Sequence, residues 1–282
     1  MFDTICLAGC GLKGLSFISC IDYLYKKKYI QNIKKLVGTS IGSIICFLIN
    51  IGYTPEDLIT LFLNLDFKKF EPEFDCEILF TNFGYDTGNK IINMIKTLLL
   101  NKFNTYNITF QKLFELTNIE LIIIATNYTL KKEEPFSYIN TPDFDVITAI
   151  NMSICIPFLF TPITHNNNIY IDGGFTNNFG LEYCNPDTTI GLYSFDTSNN
   201  SMNDLMDFMY GIIKIMFNQY DKINNFVCIN ISTNFNIISY DLNIQEKKDM
   251  FQAGYQYAQQ FHYRNVSKEI INNIILNIEN EK

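Results

Sequence analysis

A serine in a glycine-flanked turn is the first feature of this sequence that could do chemistry. Residues 38–42 read G-T-S-I-G, which matches the pattern G-x-S-x-G, and apolar stretches precede and follow them. In a sharp strand-to-helix turn, glycines leave room on both sides and the serine hydroxyl is exposed at a helix N-terminus. Free N–H groups and the positive dipole end stabilise negative charge there. The pattern predicts Ser40 as a nucleophile; the alternative is a structural turn in which Ser40 caps the helix.

A second glycine-rich turn, residues 9–14, reads G-C-G-L-K-G and lies between a predicted strand and a predicted helix. Dinucleotide-binding folds use the same G-x-G-x-x-G pattern, with a carboxylate at the end of the second strand. Here residues 37–40 end that strand without a carboxylate, which disfavours nucleotide binding. Two alternatives remain: a turn without a ligand, or an oxyanion hole built from loop amides. Lys13 is expected to point to solvent or to a lipid headgroup. The candidate oxyanion donors are Gly9, Cys10, Gly11, Leu12 and Gly14.

A nucleophilic serine needs a base, and three side chains are candidates. Asp172 opens an Asp-Gly-Gly turn directly after the apolar strand 169–171. An aspartate can act as the base when it is partly desolvated and within hydrogen-bond reach of the hydroxyl. His165 lies in a polar loop and His262 in a polar-aromatic helix, and neither follows a strand beside glycines. We therefore expect Asp172 to be the base, with either histidine as the alternative.

The three motifs, in this order, resemble the patatin-like phospholipase family. Residues 149–162 (A-I-N-M-S-I-C-I-P-F-L-F-T-P) strengthen the resemblance, because the family has a small-residue helix followed by Ile-Pro and Phe-x-Pro before its aspartate. The resemblance covers about residues 5–181. It implies a dyad of Ser40 and Asp172, an oxyanion hole from the 9–14 loop, and a three-layer α/β/α fold with a mainly parallel central sheet. The motif glycines are Gly38, Gly42, Gly173 and Gly174.

The resemblance also implies the reaction. A lipid acyl hydrolase of phospholipase A or lysophospholipase type would cleave fatty-acyl esters through an acyl-enzyme, without a metal or cofactor. Cys10 departs from the family, which usually has glycine there, and a positive φ at this residue would strain the oxyanion loop. A non-catalytic lipid-binding protein of the same fold is therefore a second hypothesis, and a Rossmann-type nucleotide-dependent enzyme is a third.

Composition limits the partners and the setting. The formal charge of −8 over 282 residues argues against a nucleic-acid partner and against strong attraction to anionic lipid. Eight cysteines without a C-x-x-C pair, most of them in apolar runs, indicate buried side chains in a reducing compartment. The N-terminus lacks the features of a signal peptide. We expect a cytoplasmic protein that touches membranes transiently as a peripheral protein and takes an acyl lipid as substrate. The oligomeric state stays open.

Hydrophobic periodicity predicts the elements that position these residues. The first fifty residues alternate strand and helix, which is typical of a parallel sheet. One domain over residues 1–282 is expected, with its core at about 4–235 and a C-terminal helical segment at about 245–280, broken near Asn265. The uncharged stretch 36–55 is better explained as strand, turn and buried helix than as a membrane span. Aromatic residues in 67–85 and a Met/Phe helix at 204–218 are candidates for an acyl channel, for membrane contact or for ordinary core.

Overall fold

A mainly parallel sheet carries the predicted site at one edge. The computed structural model of the protein describes residues 1–71, 76–195, 205–217, 223–232 and 240–280. In chain order its strands are β1 (Phe2–Leu7), β2 (Ile30–Thr39), β3 (Gly84–Asp86), β4 (Glu120–Asn127), β5 (Lys132–Phe136), β6 (Phe158–Phe160), β7 (Ile163–His165), β8 (Asn168–Asp172), β9 (Thr189–Tyr193) and β10 (Val227–Asn230). The helices are α1 (Leu15–Lys26), α2 (Ile41–Asn50), α3 (Pro55–Asn64), α4 (Cys76–Asn82), α5 (Asn89–Phe103), α6 (Phe110–Thr117), α7 (Val146–Ser153), α8 (Leu205–Phe217) and α9 (Ile244–Asn280).

The strands of the main sheet pair in the order β10-β9-β1-β2-β4-β8-β7. Neighbours from β10 to β4 are parallel, whereas β8 runs antiparallel to β4, β7 runs antiparallel to β8, and β5 pairs antiparallel with β4. β3 and β6 form a separate parallel pair. The predicted α/β class, with a mainly parallel central sheet flanked by helices, is confirmed.

Strand alternation divides the core between the two faces of the sheet. Ile5 and Leu7 of β1 join the larger apolar cluster, which packs beneath the helices and includes most of α1 and α2. Cys6 of β1 points to the opposite face and belongs to a smaller apolar cluster that includes Phe179 and Leu181. α2 is buried from residue 42 to residue 50, so its apolar sequence reflects burial on all sides. This burial fixes the helix that follows the predicted nucleophile.

Local sequence signals set several helix boundaries. Thr54 accepts a hydrogen bond from the Asp57 amide and Pro55 is the first helical residue, as the sequence predicts for the start of α3. The predicted break near Asn265 is wrong, because α9 continues through it to Asn280. No proline or glycine occurs between residues 255 and 280 to interrupt its hydrogen bonds. The predicted 204–218 helix appears as α8, and its two end residues lie outside the described ranges.

None of the helices in the described ranges combines the length and the apolar character needed to cross a membrane. The organisation of residues 1–282 as one domain stays a prediction.

Candidate active site

The register of three strands brings Ser40 and Asp172 together. Thr39, the last residue of β2, pairs with Ile124 of β4, so Ser40 comes level with Ala125. Beyond the end of β2, on the same side of β4, Ala125 pairs with Asp172, the last residue of antiparallel β8, while β5 pairs along the other side of β4. The Ser40 hydroxyl donates a hydrogen bond to Asp172 Oδ2 at 2.6 Å. Two side chains that are 132 residues apart in the chain therefore meet where the ends of β2 and β8 face each other on the same side of β4.

Ser40 adopts a backbone conformation that few non-glycine residues reach, with φ 54° and ψ −128°. It occupies the N-cap position of α2, yet its side chain makes no capping hydrogen bond. The simpler explanation of the motif, a serine that caps the helix, is therefore wrong. Instead, the backbone carbonyl of Ser40 accepts from the Ser43 hydroxyl at 2.6 Å, and its N–H donates to the Ser153 hydroxyl at 2.9 Å. These contacts hold the turn while its hydroxyl faces the carboxylate.

The motif glycines are needed because backbone approaches closely at each of them. A β-carbon at Gly38 would lie 2.5 Å from the carbonyl oxygen of Gly42, and one at Gly42 would lie 2.4 Å from that of Leu7. A β-carbon at Gly173 would lie 2.2 Å from the Ile124 carbonyl oxygen. These separations are far below van der Waals contact, so any larger residue would push the serine turn away from the aspartate turn.

Asp172 is fully buried and both of its carboxyl oxygens accept hydrogen bonds. Oδ1 accepts from the Gly174 amide at 2.8 Å, and Oδ2 accepts from Ser40. The Thr126 hydroxyl fixes the backbone of Asp172 by donating to its carbonyl at 2.8 Å. Desolvation by burial raises the pKa of the carboxyl to about 7, against the lowering effect of the bonds from Ser40 and Gly174. A carboxyl with a pKa near neutrality can both take up and release a proton at physiological pH.

The 9–14 loop lies against Ser40 and starts a helical segment. Residues Gly11–Gly14 form a 3-10 turn that leads into α1, so the first amides of this turn have no intrahelical acceptor. Gly11 has φ 55° and accounts for one glycine of the motif. Cys10 has φ −159°, an extended conformation open to any residue. The strain that a positive φ would cause at this cysteine is therefore absent. This removes the observation that motivated the non-catalytic hypothesis.

One asparagine joins the loop to the turn after Asp172. Asn178 accepts a hydrogen bond from the Gly9 amide through Oδ1 at 3.1 Å and donates to the Gly9 carbonyl through Nδ2 at 3.0 Å. The Gly9 amide is therefore already engaged, and a β-carbon at Gly9 would lie only 3.0 Å from the Ser40 β-carbon. Because Gly9 is committed to this contact and to close packing, Gly11 and Leu12 are the better candidates for oxyanion donors.

Lys13 and the two histidines differ from the site residues. The prediction that Lys13 points to solvent or headgroup is wrong, because its side chain is buried with 1% exposure. His262 hydrogen-bonds Tyr29 at 2.8 Å through Nδ1, and His165 packs edge-on against Phe144. The Ser40 hydroxyl faces Asp172 rather than either imidazole. Among the described residues, no cluster of three or more His, Cys, Asp or Glu side chains could hold a metal ion.

An apolar cavity opens beside the Ser40 hydroxyl. It encloses about 740 Å³, counting the part open to solvent, and its wall is almost entirely apolar. Phe67 and Phe70 belong to the wall, so part of the predicted aromatic stretch lines this cavity. The described part of α8 contributes no lining residue. The lining residues are Gly11, Leu12, Ser40, Ile41, Ile44, Phe62, Leu65, Phe67, Phe70, Ile91, Met94, Ile154, Ile156, Leu159, Phe160 and Tyr240.

Sequence reasoning missed the residues that support the site from outside its motifs. Ser153 receives the Ser40 amide and donates to the Ile124 carbonyl at 2.6 Å, and it lies inside the 149–162 segment that carries the family resemblance. The resemblance of that segment to the family could have drawn attention to Ser153, although it implied no role for this residue. Asn178 lies six residues after Asp172 in a run of polar residues, and nothing in the pattern distinguishes it from Asn177.

Comparisons with known proteins identify the family of this chain. The family model for patatin-like phospholipase matches residues 5–184, which contain all three motifs and the 149–162 segment. The chain belongs to the patatin-like phospholipase family. The probable lipid hydrolase 463L of Invertebrate iridescent virus 6 is 31% identical to it over 285 residues, covering 96% of this chain and 92% of that protein.

Two further relatives extend the comparison. Uncharacterized protein R571 of Acanthamoeba polyphaga mimivirus is 24% identical over 279 residues, covering 91% of this chain and 92% of its own. The crystal structure of VipD from Legionella pneumophila has a TM-score of 0.69 at 15% identity. It matches 92% of this chain, which spans 66% of VipD, and at this identity the likeness establishes the shared fold alone.

The contact between Asn178 and Gly9 gives a first prediction. Asn178→Ala should lower kcat on a soluble short-chain ester by about tenfold to a hundredfold with little change in KM, because the loop amides lose their alignment. Asn177→Ala is the matched control: Asn177 is also buried, but its side chain contacts Glu182 and the Phe179 amide rather than the loop. Steady-state kinetics and thermal unfolding of both variants decide the outcome. Equal losses of kcat in the two variants would contradict a specific role for Asn178.

Proposed function

We propose that this protein is a lipid acyl hydrolase in which Ser40 is the nucleophile and Asp172 is the general base. The observation that carries the proposal is the 2.6 Å hydrogen bond from the Ser40 hydroxyl to a fully buried carboxylate, made in place of a helix cap. A serine hydroxyl is a weak nucleophile until a neighbouring base can accept its proton. Membership of the patatin-like phospholipase family and the relative described as a probable lipid hydrolase support the substrate class.

The reaction has two halves. As Ser40 Oγ attacks the ester carbonyl carbon, its proton passes to Asp172 Oδ2, and the carbonyl electron pair moves onto the oxygen. When the tetrahedral intermediate collapses, the ester C–O bond breaks and the leaving alcohol takes the proton from Asp172. A water molecule then gives its proton to Asp172 and attacks the acyl-enzyme, and collapse returns that proton to Ser40 Oγ as the fatty acid leaves.

The developing oxyanion needs donors that are fixed before the reaction begins. In this proposal the amides of Gly11 and Leu12 supply them, with Cys10 and Gly14 shaping the turn and Asn178 holding Gly9. Gly14 cannot be enlarged easily, because a β-carbon there would lie 2.7 Å from the Ile41 side chain. Placement at the start of a helical segment adds the favourable field of the α1 dipole.

The apolar cavity supports a fatty-acyl substrate. Its wall is apolar and offers almost no hydrogen-bonding groups. An aliphatic chain is the ligand that such a wall stabilises best, since burying each methylene contributes about 0.8 kcal/mol. The chain in the cavity would place the ester carbonyl between Ser40 and the 9–14 loop. A nucleotide phosphate would find no cation among these lining residues, which disfavours the nucleotide hypothesis.

The dyad gives the second prediction. Ser40→Ala and Asp172→Asn should each lower the rate of fatty-acid release by about a thousandfold or more, since removing the nucleophile or its base abolishes the covalent route. The double variant His165→Asn/His262→Asn should keep wild-type activity. Fatty-acid release from a phospholipid and labelling by a fluorophosphonate probe measure the effect. Full activity in Ser40→Ala would reject the proposal, and loss in the histidine variant would replace the dyad with a triad.

The third prediction concerns pH. Because the base acts only when ionised, kcat/KM on a soluble ester should rise with pH through about 7, the raised pKa of Asp172, and then become level. The same shift affects stability. The folded-state pKa lies above the unfolded value of about 3.9, so burial of the carboxylate costs stability increasingly as pH rises from about 4 to about 7.

Asp172→Asn removes this cost and should therefore unfold at a higher temperature than wild type at pH of about 8, with the difference vanishing near pH 4. Thermal unfolding at the two pH values checks the sign. A wild-type protein more stable than the variant at the higher pH, or a rising limb of kcat/KM near pH 4, would show that the carboxyl pKa is not raised.

A further inference from the structure

Two phenylalanines beside the cavity adopt backbone conformations that bulky residues rarely adopt. Phe83 has φ 61° and Phe158 has φ 72°. They are neighbours in space, because the Phe158 amide donates to the Phe83 carbonyl at 3.3 Å. Both side chains are open to solvent, with exposures of 69% and 44%. A strained backbone at a bulky aromatic residue lowers the stability of a protein. Its occurrence at two neighbouring, exposed residues therefore indicates a role other than stabilising the fold.

Glycine would be the natural residue at these two positions, and the chain does use glycine next to them. A β-carbon at Gly84 would lie 2.2 Å from the Phe160 carbonyl carbon, so the close approach of β3 and β6 requires glycine there. At Phe83 and Phe158, by contrast, a positive φ would favour glycine, and a large apolar side chain is present instead. Phe158 of β6 and Phe83, the residue before β3, thus expose two aromatic side chains on a tightly packed backbone.

α8 packs against the segment that contains Phe158 and carries exposed apolar side chains of its own. Phe208, Ile212 and Ile215 recur at helical spacing on one side of α8 and are exposed. The opposite side is buried through Met209 and Ile213, and Ile213 packs in one cluster with Cys155, Ile156, Leu159 and Phe160. We call Phe80, Phe83, Phe158, Phe208, Ile212 and Ile215 the apolar rim.

The apolar rim adjoins the cavity wall at Phe158. Ile156, Leu159 and Phe160 line the cavity, and Phe158 lies among them in the chain with its side chain exposed. In this short segment, residues 156, 159 and 160 therefore face the cavity, whereas Phe158 faces solvent. An aliphatic chain that left the cavity beside this segment would pass the exposed side chain of Phe158.

The net charge of the chain indicates which kind of surface the apolar rim binds. The formal charge of −8, with 29 acidic residues against 21 basic ones, offers no net attraction to an anionic surface. Attachment through the rim must therefore come from the insertion of apolar side chains. We infer that the apolar rim docks on a bilayer of zwitterionic phospholipid and guides an acyl chain from it into the cavity. This inference rests on the proposed function, because the substrate of a lipid hydrolase is supplied by such a surface.

A binding experiment without turnover tests the docking. In a Ser40→Ala background, the full-length protein is mixed with phosphatidylcholine vesicles and sedimented. Phe83→Gly/Phe158→Gly should bind at least about tenfold more weakly than its parent, since two apolar side chains no longer insert. Its thermal midpoint should not fall, because glycine accepts both φ values. The control Tyr106→Gly/Leu130→Gly removes two exposed apolar side chains from other elements and should bind like the parent.

Two further arms separate this inference from the proposed function. Vesicle binding should be unchanged between about 0.05 M and about 0.5 M salt, because the attachment is apolar. With Ser40 present, Phe83→Gly/Phe158→Gly should hydrolyse a monomeric soluble ester at the wild-type rate but vesicle phospholipid at least about tenfold more slowly. If Ser40→Ala retained ester hydrolysis, the proposed function would fail while the binding result still stood on its own.

Three results would overturn the docking. One is equal vesicle binding by the rim variant and the control. Another is binding only to vesicles that contain anionic lipid, lost at high salt, which would place attachment on basic residues. The third is a parent protein that ignores phosphatidylcholine vesicles but forms a dimer that Phe83→Gly/Phe158→Gly dissociates, which would make the rim an interface between two copies of the chain.

Discussion

The structure depends on keeping one carboxylate out of water. Asp172 has no exposed surface, and burial of its charge is unfavourable unless hydrogen bonds compensate. The Gly174 amide and the Ser40 hydroxyl donate those bonds, one to each oxygen. The serine is thus the partner that makes the buried carboxylate tolerable, and the carboxylate keeps the hydroxyl from its usual role as a helix cap. Each side chain fixes the other in the arrangement that proton transfer requires.

The surrounding fold maintains this pair through backbone positions more than through side-chain packing. β2 and β8 end facing each other along one side of β4. The carbonyl of Ile124 in β4 accepts a hydrogen bond from Ser153, which in turn holds the Ser40 amide. Glycines at 38, 42 and 173 permit backbone separations that no other residue allows. The turn after Asp172 reaches back through Asn178 to the 9–14 loop. Ser40, Asp172 and the 9–14 loop are therefore linked in one hydrogen-bonded assembly.

The sequence predicts the elements of this assembly better than it predicts their connections. Regular alternation of apolar strand and helix in the first fifty residues is a local signal, and it places β1, α1, β2 and α2 correctly. The direction of β8 is a long-range property with no local signal, so its antiparallel pairing with β4 could not be foreseen from 169–171. The φ of Cys10 depends on how the loop meets Ser40, so residue type alone could not decide whether a cysteine there is strained. Lys13 is buried for the same reason, because polarity predicts exposure only where tertiary contacts do not override it.

The most direct test of the account is a crystal structure of the protein after reaction with a long-chain alkyl phosphonate ester, whose phosphorus mimics the tetrahedral intermediate. The account predicts a covalent bond to Ser40 Oγ, a phosphonyl oxygen within about 3 Å of the Gly11 and Leu12 amides, and the alkyl chain in the apolar cavity. An adduct on another residue would contradict it, as would a phosphonyl oxygen directed away from the 9–14 loop.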